Sequence, residues 1–239
     1  MNYVILAAGL GSRFVAEGEQ NPKPLVNLLG QPMIGRLIKV LLSCGGERIY
    51  IVANSRMQCL VDYLDGLKER EGLPLEVRPI ISDNSYYSLS EACRGVKGKF
   101  IAMTVDSIFP TEEFRRYAEA VEAMPDNEVL MGLTRFVDDE SPLYARIGAG
   151  GDVIDYRYGG EPFAEDTIVS AGLYGLTDKA MELVAAREGY PESLSDFQRI
   201  LAAETDLRVV PYVFSKAFDV DCGHDRVLAE QFIRDVNGE

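Results

Sequence analysis

Leu6-Ala-Ala-Gly-Leu-Gly-Ser-Arg13 continues the short apolar run Tyr3-Val-Ile-Leu-Ala7, and Pro22-Lys-Pro24 follows soon after. An apolar run of this length that ends in glycine reads as a buried parallel strand. Gly9 and Gly11 let backbone N–H groups come close to a ligand, and Arg13 and Lys23 add two fixed cations. Lys23 lies between prolines, which restrict the backbone and set the direction of its side chain. Together these residues describe a loop at the end of a strand that cradles a polyphosphate. The dinucleotide fingerprint G-x-G-x-x-G begins in the same way, but Phe14 stands where its third, small residue is needed.

Strand and helix patterns alternate outward from this loop. After a long loop, Pro32 to Leu42 has helical spacing and stops at Cys44-Gly-Gly46. Strands are expected at Arg48–Ala53, Leu75–Ile81 and Lys99–Val105, with helices around Met57–Leu67 and Ser88–Gly95 between them. Such alternation predicts an α/β fold with a doubly wound, mainly parallel sheet. The second half changes rhythm. After a helix at Glu112–Met124, strand patterns at Val129–Thr134, Leu143–Ala149, Asp152–Arg157 and Thr167–Leu176 crowd together, with Gly148-Ala-Gly-Gly-Asp152 as a hairpin turn. These read as antiparallel additions. Helices at Asp178–Arg187 and Ser195–Ala203, a strand at Leu207–Val213 and a helix at His224–Val236 close the chain. No linker rich in Pro, Gly or Ser divides it, so residues 1–239 are expected to form one domain, with a nucleotide-binding half (1–107) and an acceptor-binding half (108–239).

Composition limits the partners. A formal net charge of −14 argues against nucleic acid, whose binders draw affinity from Lys and Arg surfaces, and against an anionic membrane surface. Phosphate must then be held by local cations, helix N-termini or a bound metal. Four cysteines without a C-x-x-C pair argue against structural zinc and against a disulfide framework. No segment approaches the length of a membrane helix, and the first residues lack a signal-peptide pattern, so a reducing cytoplasm is the expected location. The oligomeric state is left open.

Two carboxylates complete the pattern. Phe100-Ile-Ala-Met-Thr-Val-Asp106 is a strand ending in Asp106, at the carboxyl edge where open α/β sheets gather ligands; capping of the next turn is its other reading. Phe218-Asp-Val-Asp-Cys-Gly-His-Asp225 is strand-like and leads into a helix, with Asp219 and Asp221 on one face by period-two alternation. Converging carboxylates of this kind hold Mg²⁺, which keeps most of its waters and takes further ligands from substrate phosphates. Asp219 is read as a supporting or solvated carboxylate, His224 as a helix start or a group behind the metal ligands, and Asp138-Asp-Glu140 as a solvated run.

The ordered set Leu6–Arg13, Pro22-Lys-Pro-Leu25 and Leu29-Gly-Gln-Pro-Met33 resembles the signature of the nucleotidyltransferases that activate sugar 1-phosphates and related phosphate monoesters, a Rossmann-like, GT-A type fold in the MobA-like superfamily. The resemblance implies that Leu6, Ala7, Ala8, Gly9, Gly11 and Ser12 bind the NTP. It gives Arg13 and Lys23 the catalytic neutralisation of the triphosphate, and it makes Asp106 and Asp221 ligands of Mg²⁺. Leu143-Tyr-Ala-Arg-Ile147 and Val169-Ser-Ala-Gly-Leu-Tyr174 resemble the family's two sugar-facing segments, which puts Tyr144, Ser170 and Gly172 at the acceptor. Ala145 and Ser170 stand where the family usually has Gly and Asn, so the identity of the sugar stays open. Ser82–Ser90 looks closer to the loop of the phosphocholine cytidylyltransferases and assigns Asn84 and Ser88 to the nucleotide. The Ala-Ala-Gly form of the first loop favours UTP or CTP. The implied reaction joins a pyrimidine NTP to a small phosphate-monoester acceptor, a sugar 1-phosphate first, and releases pyrophosphate. Phosphocholine or a similar monoester is the alternative acceptor, with Tyr86, Tyr87, Tyr156 and Tyr158 as a candidate aromatic cage. Two rivals remain: a nucleotide-binding regulatory protein without chemistry, and a glycosyltransferase, whose D-x-D is missing at Asp106-Ser-Ile108.

Overall fold

Tyr3, Ile5 and Ala7 enter one hydrophobic layer and Val4 and Leu6 the opposite one, so the first strand is covered on both faces, as its unbroken apolar run demands. The computed structural model describes residues 1–82, 84–137, 141–163, 167–186 and 191–237. From its start the chain runs through β1 (Asn2–Ala7), a short helix α1 (Ser12–Ala16), a 3-10 turn (Lys23–Leu25) and a small hairpin of β2 (Asn27–Leu28) and β3 (Gln31–Pro32). It continues through α2 (Met33–Ser43), β4 (Arg48–Asn54), α3 (Gln58–Glu71), β5 (Leu75–Ile80), α4 (Ser85–Cys93) and β6 (Lys99–Thr104). Then come β7 (Ser107–Ile108), α5 (Thr111–Ala123), β8 (Glu128–Thr134), β9 (Leu143–Ile147), β10 (Val153–Tyr158) and β11 (Val169–Thr177). The last elements are α6 (Asp178–Ala185), α7 (Leu194–Glu204), β12 (Arg208–Phe214), β13 (Phe218–Asp219) and α8 (Gly223–Asn237).

One sheet carries the order β10-β9-β11-β6-β1-β4-β5, with β8 added through β11 and β12 through β8. The pairs β1–β4, β1–β6, β4–β5 and β8–β12 are parallel, whereas β11 is antiparallel to β6, β8 and β9. The fold is therefore α/β and doubly wound, with antiparallel additions from the second half. Helices cover both faces: Ile34 and Ile38 of α2 and Phe114 of α5 share a cluster on one side. Leu89 of α4, Val184 of α6 and Phe197 of α7 pack on the other. Because β11 pairs with β6, the sheet runs without a break from the first half of the chain into the second.

The segment after Gly11 is more structured than the long loop expected there. Five residues of α1 and a hairpin of two two-residue strands are too short to leave a periodic signal. They are held by a third cluster in which Phe14, Val26, Leu28 and Met33 meet Phe218 and Val220. Phe14, the residue that breaks the dinucleotide pattern, thus anchors α1 against the far end of the chain. Helix α4 begins at Ser85 and not at Ser88, because Asn84 Oδ1 accepts a hydrogen bond from Tyr87 N at 2.7 Å and caps it. The acidic run Asp138–Glu140 and the helix end expected at Arg187 lie outside the described residues. No helix among the described residues is long and apolar enough to cross a membrane.

Candidate active site

At the carboxyl edge of β1 and β6 the backbone turns sharply at Gly11, which has φ +64°. A Cβ there would sit 2.6 Å from Lys23 Cβ, so the missing side chain is what lets the Lys23 segment close onto the loop. Lys23 is buried, and its ammonium donates hydrogen bonds to Asp106 Oδ2 and Asp221 Oδ1. Arg13 Nη1 donates to Asp221 Oδ2 at 3.1 Å. The structure therefore brings Arg13, Lys23, Asp106 and Asp221 into one ion cluster, although they come from both ends and the middle of the chain. Burial opposes the charge on Lys23, but the two carboxylates outweigh it and push its pKa up. Burial likewise works to raise Asp106, and the Lys23 ammonium overcomes it and holds that carboxyl below the usual range.

Two cavities flank this cluster. The first, of about 480 Å³, is lined by Leu6, Ala8, Gly9, Gly11 and Ser12 from the loop and by Asn84 and Ser88 from α4. Ala7 points the other way, into the opposite core layer, as alternation along β1 requires. Ser88 Oγ donates to Ser82 Oγ at 2.8 Å, and this bond ties the start of α4 to the strand end before it. Gly9 lines this cavity, and nothing lies within 4 Å of where its Cβ would stand.

The second cavity, of about 760 Å³, lies beneath β11 and the start of α8. Arg13, Thr104, Leu194 and Asp221 line both cavities and form their common wall. Ser170 and Gly172 face the second cavity, whereas Tyr144 is not among its lining residues. Leu143 lines it and Ala145 is core, so the alternation of β9 turns Tyr144 to the other side. Gly172 adopts φ +67° at an irregularity of β11, and a Cβ would stand 2.5 Å from Ser107 Oγ and 2.8 Å from Thr104 Oγ1. Those two hydroxyls are 2.7 Å apart, and Ser107 Oγ donates to Asp219 Oδ1 at 3.0 Å. Asp219 is open to the cavity, yet it is ringed by protein atoms and stands near Asp106. Desolvation first, and the charge of Asp106 second, push its pKa up to about 7.

Four groups at the site escaped the sequence reading. Thr104 and Ser107 lie on either side of Asp106 and bear on Gly172 and Asp219. Gln198 is buried on α7 and accepts from Ser170 Oγ at 2.8 Å. A lone amide between the apolar Phe197 and Ile200 was the signal that could have marked it. Leu194 N donates to Ser85 Oγ at 3.0 Å, which joins α7 to α4 at the common wall. The tyrosine cage does not assemble: Tyr86 and Tyr156 are core residues, and Tyr158 alone of the four lines the second cavity. Phe136 and Phe218 also line it, with the Lys216 ammonium 4.2 Å from the Phe136 ring centre.

Residues 3–146 match the family model of the MobA-like NTP transferase domain. The chain belongs to that family. Among this family's relatives, bifunctional protein GlmU of Methanococcus vannielii is 25% identical over 187 residues, which are 77% of this chain and 42% of the relative. The chain thus spans less than half the length of that protein. Choline-phosphate cytidylyltransferase of Streptococcus pneumoniae is 37% identical over 90 residues, 37% of this chain and 38% of that one. The solved inositol-1-phosphate CTP transferase from T. maritima superimposes with a TM-score of 0.78 at 18% identity, covering 98% of this chain and 96% of that chain. At that identity the likeness speaks for the fold.

Mg²⁺ is the metal that this family and the paired carboxylates imply. Among the described residues no three His, Cys, Asp or Glu side chains gather into a protein cage. Mg²⁺ does not need one, since one or two carboxylates, waters and substrate phosphates suffice. Asp106 Oδ1 is buried without a hydrogen-bond partner, a polar atom that a cation would satisfy. The donor set fits.

Proposed function

We propose that this protein is a nucleotidyltransferase that joins a pyrimidine NTP, UTP or CTP, to a sugar 1-phosphate and releases pyrophosphate. The observation that carries the reading is the pair of cavities with Arg13 and Asp221 in their common wall. One cavity holds the loop residues suited to a triphosphate, the other leaves room for an acceptor, and both phosphates then meet at the wall. The acceptor phosphate, already ionised at neutral pH, attacks the α-phosphorus in line with the departing pyrophosphate, and needs no general base. Arg13 and Lys23, carried on backbones that α1 and the flanking prolines hold in place, stabilise the charge that gathers on the transferring group. Backbone N–H groups of the Gly9–Gly11 turn orient the triphosphate, and Asn84 and Ser88 adjoin its nucleoside. Asp106 and Asp221 would hold Mg²⁺, which when bound supplies further neutralisation of the phosphates. Ser170, whose hydroxyl proton is held by Gln198 Oε1, offers its oxygen to a hydrogen-bond donor of the acceptor.

A second acceptor is favoured by one observation. Glu17, Asp219, Asp221 and Asp225 line the second cavity, against Arg13 as its only lysine or arginine among the described lining residues. Such a wall suits a phosphate monoester or phosphonate whose other end is an ammonium group. Pyrophosphate release measured over a grid of NTPs against sugar 1-phosphates and aminoalkyl phosphates tests both readings. Turnover with sugar 1-phosphates supports the first, and turnover confined to ammonium-bearing acceptors selects the second. Absence of turnover with every pair, or full activity in Asp106→Ala, refutes both.

A further inference from the structure

Asp106 and Asp221 offer four carboxylate oxygens, and three of them are taken by the protein itself. Lys23 holds Asp106 Oδ2 and Asp221 Oδ1, Arg13 holds Asp221 Oδ2, and Asp106 Oδ1 alone lacks a partner. A cation entering between the two aspartates must therefore compete with an ammonium already bound to both. Lys23 cannot simply drift away, because Gly11 packs on its Cβ and prolines flank it. Only the outer part of its side chain can turn, and the nucleotide cavity, which Lys23 itself lines, gives it a direction to turn in.

We infer that Lys23 is a resident counter-ion of the metal site: it bridges Asp106 and Asp221 in the nucleotide-free protein and excludes the divalent ion, and it yields the carboxylates only when a triphosphate offers it oxygens in exchange. The inference rests on the proposed metal role of Asp106 and Asp221. It has two consequences. Without nucleotide the carboxylate pair stays closed, so its affinity for a divalent ion is low even though its charge is suitable. With nucleotide, Lys23 and Arg13 move from carboxylate to phosphate as the ion arrives, and assembly of the site becomes an exchange of partners in which no buried charge is left bare.

The test is binding of Mn²⁺ alone, read by the loss of the free-ion electron paramagnetic resonance signal, in wild type, Lys23→Gln, Arg13→Gln and Asp106→Asn. A charge at this range alters a carboxylate's proton affinity by roughly ten- to a thousand-fold, and the lower figure is expected for the ion. Lys23→Gln should therefore bind Mn²⁺ about tenfold more tightly than wild type in the absence of nucleotide. Arg13→Gln, which alters a half-exposed side chain and should keep the fold, is expected to move in the same direction by less. Equal or weaker Mn²⁺ binding in folded Lys23→Gln overturns the inference. If that variant unfolds, equal or weaker binding in Arg13→Gln does so. Asp106→Asn should bind Mn²⁺ more weakly, with or without CTP. If it binds normally, it is the metal reading that fails, and the two failures are thereby distinguished.

Discussion

Gly11→Ala is the substitution whose effect the structure specifies most closely. At φ +64° an alanine incurs about 1–2 kcal/mol of left-handed strain. Its methyl would also stand 2.6 Å from Lys23 Cβ, which hangs directly from a backbone fixed by two prolines. Relief demands a shift of that backbone, and overpacking of this kind costs roughly 1–3 kcal/mol. Against this, the alanine restricts the unfolded chain and returns about 0.4–1 kcal/mol. The net loss is about 1–4.6 kcal/mol, which for a domain of this size lowers Tm by roughly 2–18 °C. Urea denaturation followed by circular dichroism measures it, and pyrophosphate release should fall further than stability does because Lys23 is displaced. Gly9→Ala is the control: its Cβ meets nothing within 4 Å and its φ is not positive, so stability should not fall and should rise by about 0.4–1 kcal/mol. Gly9 lines the first cavity, however, so an added methyl should raise the KM for NTP. If Gly11→Ala unfolds at the same urea concentration as Gly9→Ala, the close approach of Lys23 to the loop is not what requires glycine, and the reasoning fails.

Other outcomes follow from the same geometry. Gly172→Ala should break the Thr104–Ser107–Asp219 contacts and, by the same sum, cost about 1–4.6 kcal/mol; a double-mutant cycle with Ser107→Ala, measured by denaturation, should recover part of that loss. Asp219 has a folded-state pKa near 7, above the unfolded value of about 3.9, so its protonated form favours the native state. Its contribution is complete below about pH 4 and is lost as pH rises to about 7, and Asp219→Asn should flatten that part of the stability profile in thermal melts. An unchanged profile would mean that Asp219 does not ionise in the way described. Asn84→Ala removes the cap of α4 and should cost about 1 kcal/mol, read as a fall in Tm of about 2–4 °C, together with a higher KM for NTP.

How much could be read from the sequence depended on the length of each signal. The buried run of β1 and its glycines gave the strand, the loop and the edge at which ligands gather. Pro22 and Pro24 fixed Lys23 locally, so its place was legible before its partners were. Asp106 and Asp221 were legible as strand ends, but their meeting with one lysine was not, since it depends on the pairing of β13 with β7 and on Val220 N donating to Asp106 O at 3.1 Å. Tyr144 was placed by family resemblance, although the apolar neighbours Leu143 and Ala145 already assign it to the other face. The alternation that pairs Asp219 with Asp221 was right about the face and silent about Ser107, because contact between β7 and β13 rests on two residue pairs, Phe218 with Ile108 and Asp219 with Ser107. Gln198 was missed since a single amide in an amphipathic helix usually faces water.

The antiparallel strand β11 is the neighbour of β6, although β6 precedes it in the chain by the whole of β7, α5, β8, β9 and β10. While the chain is being synthesised, β6 therefore emerges as a bare, apolar sheet edge and stays so until Val169–Thr177 is made. An open edge of this kind invites pairing with other chains. The Gly9–Gly11 loop is made early, but the sheet that supports it closes late, and Asp221 arrives later still. The newborn chain thus passes through an interval in which it has an incomplete ion cluster and an unprotected edge, and the rate of translation through the second half becomes part of how safely it folds.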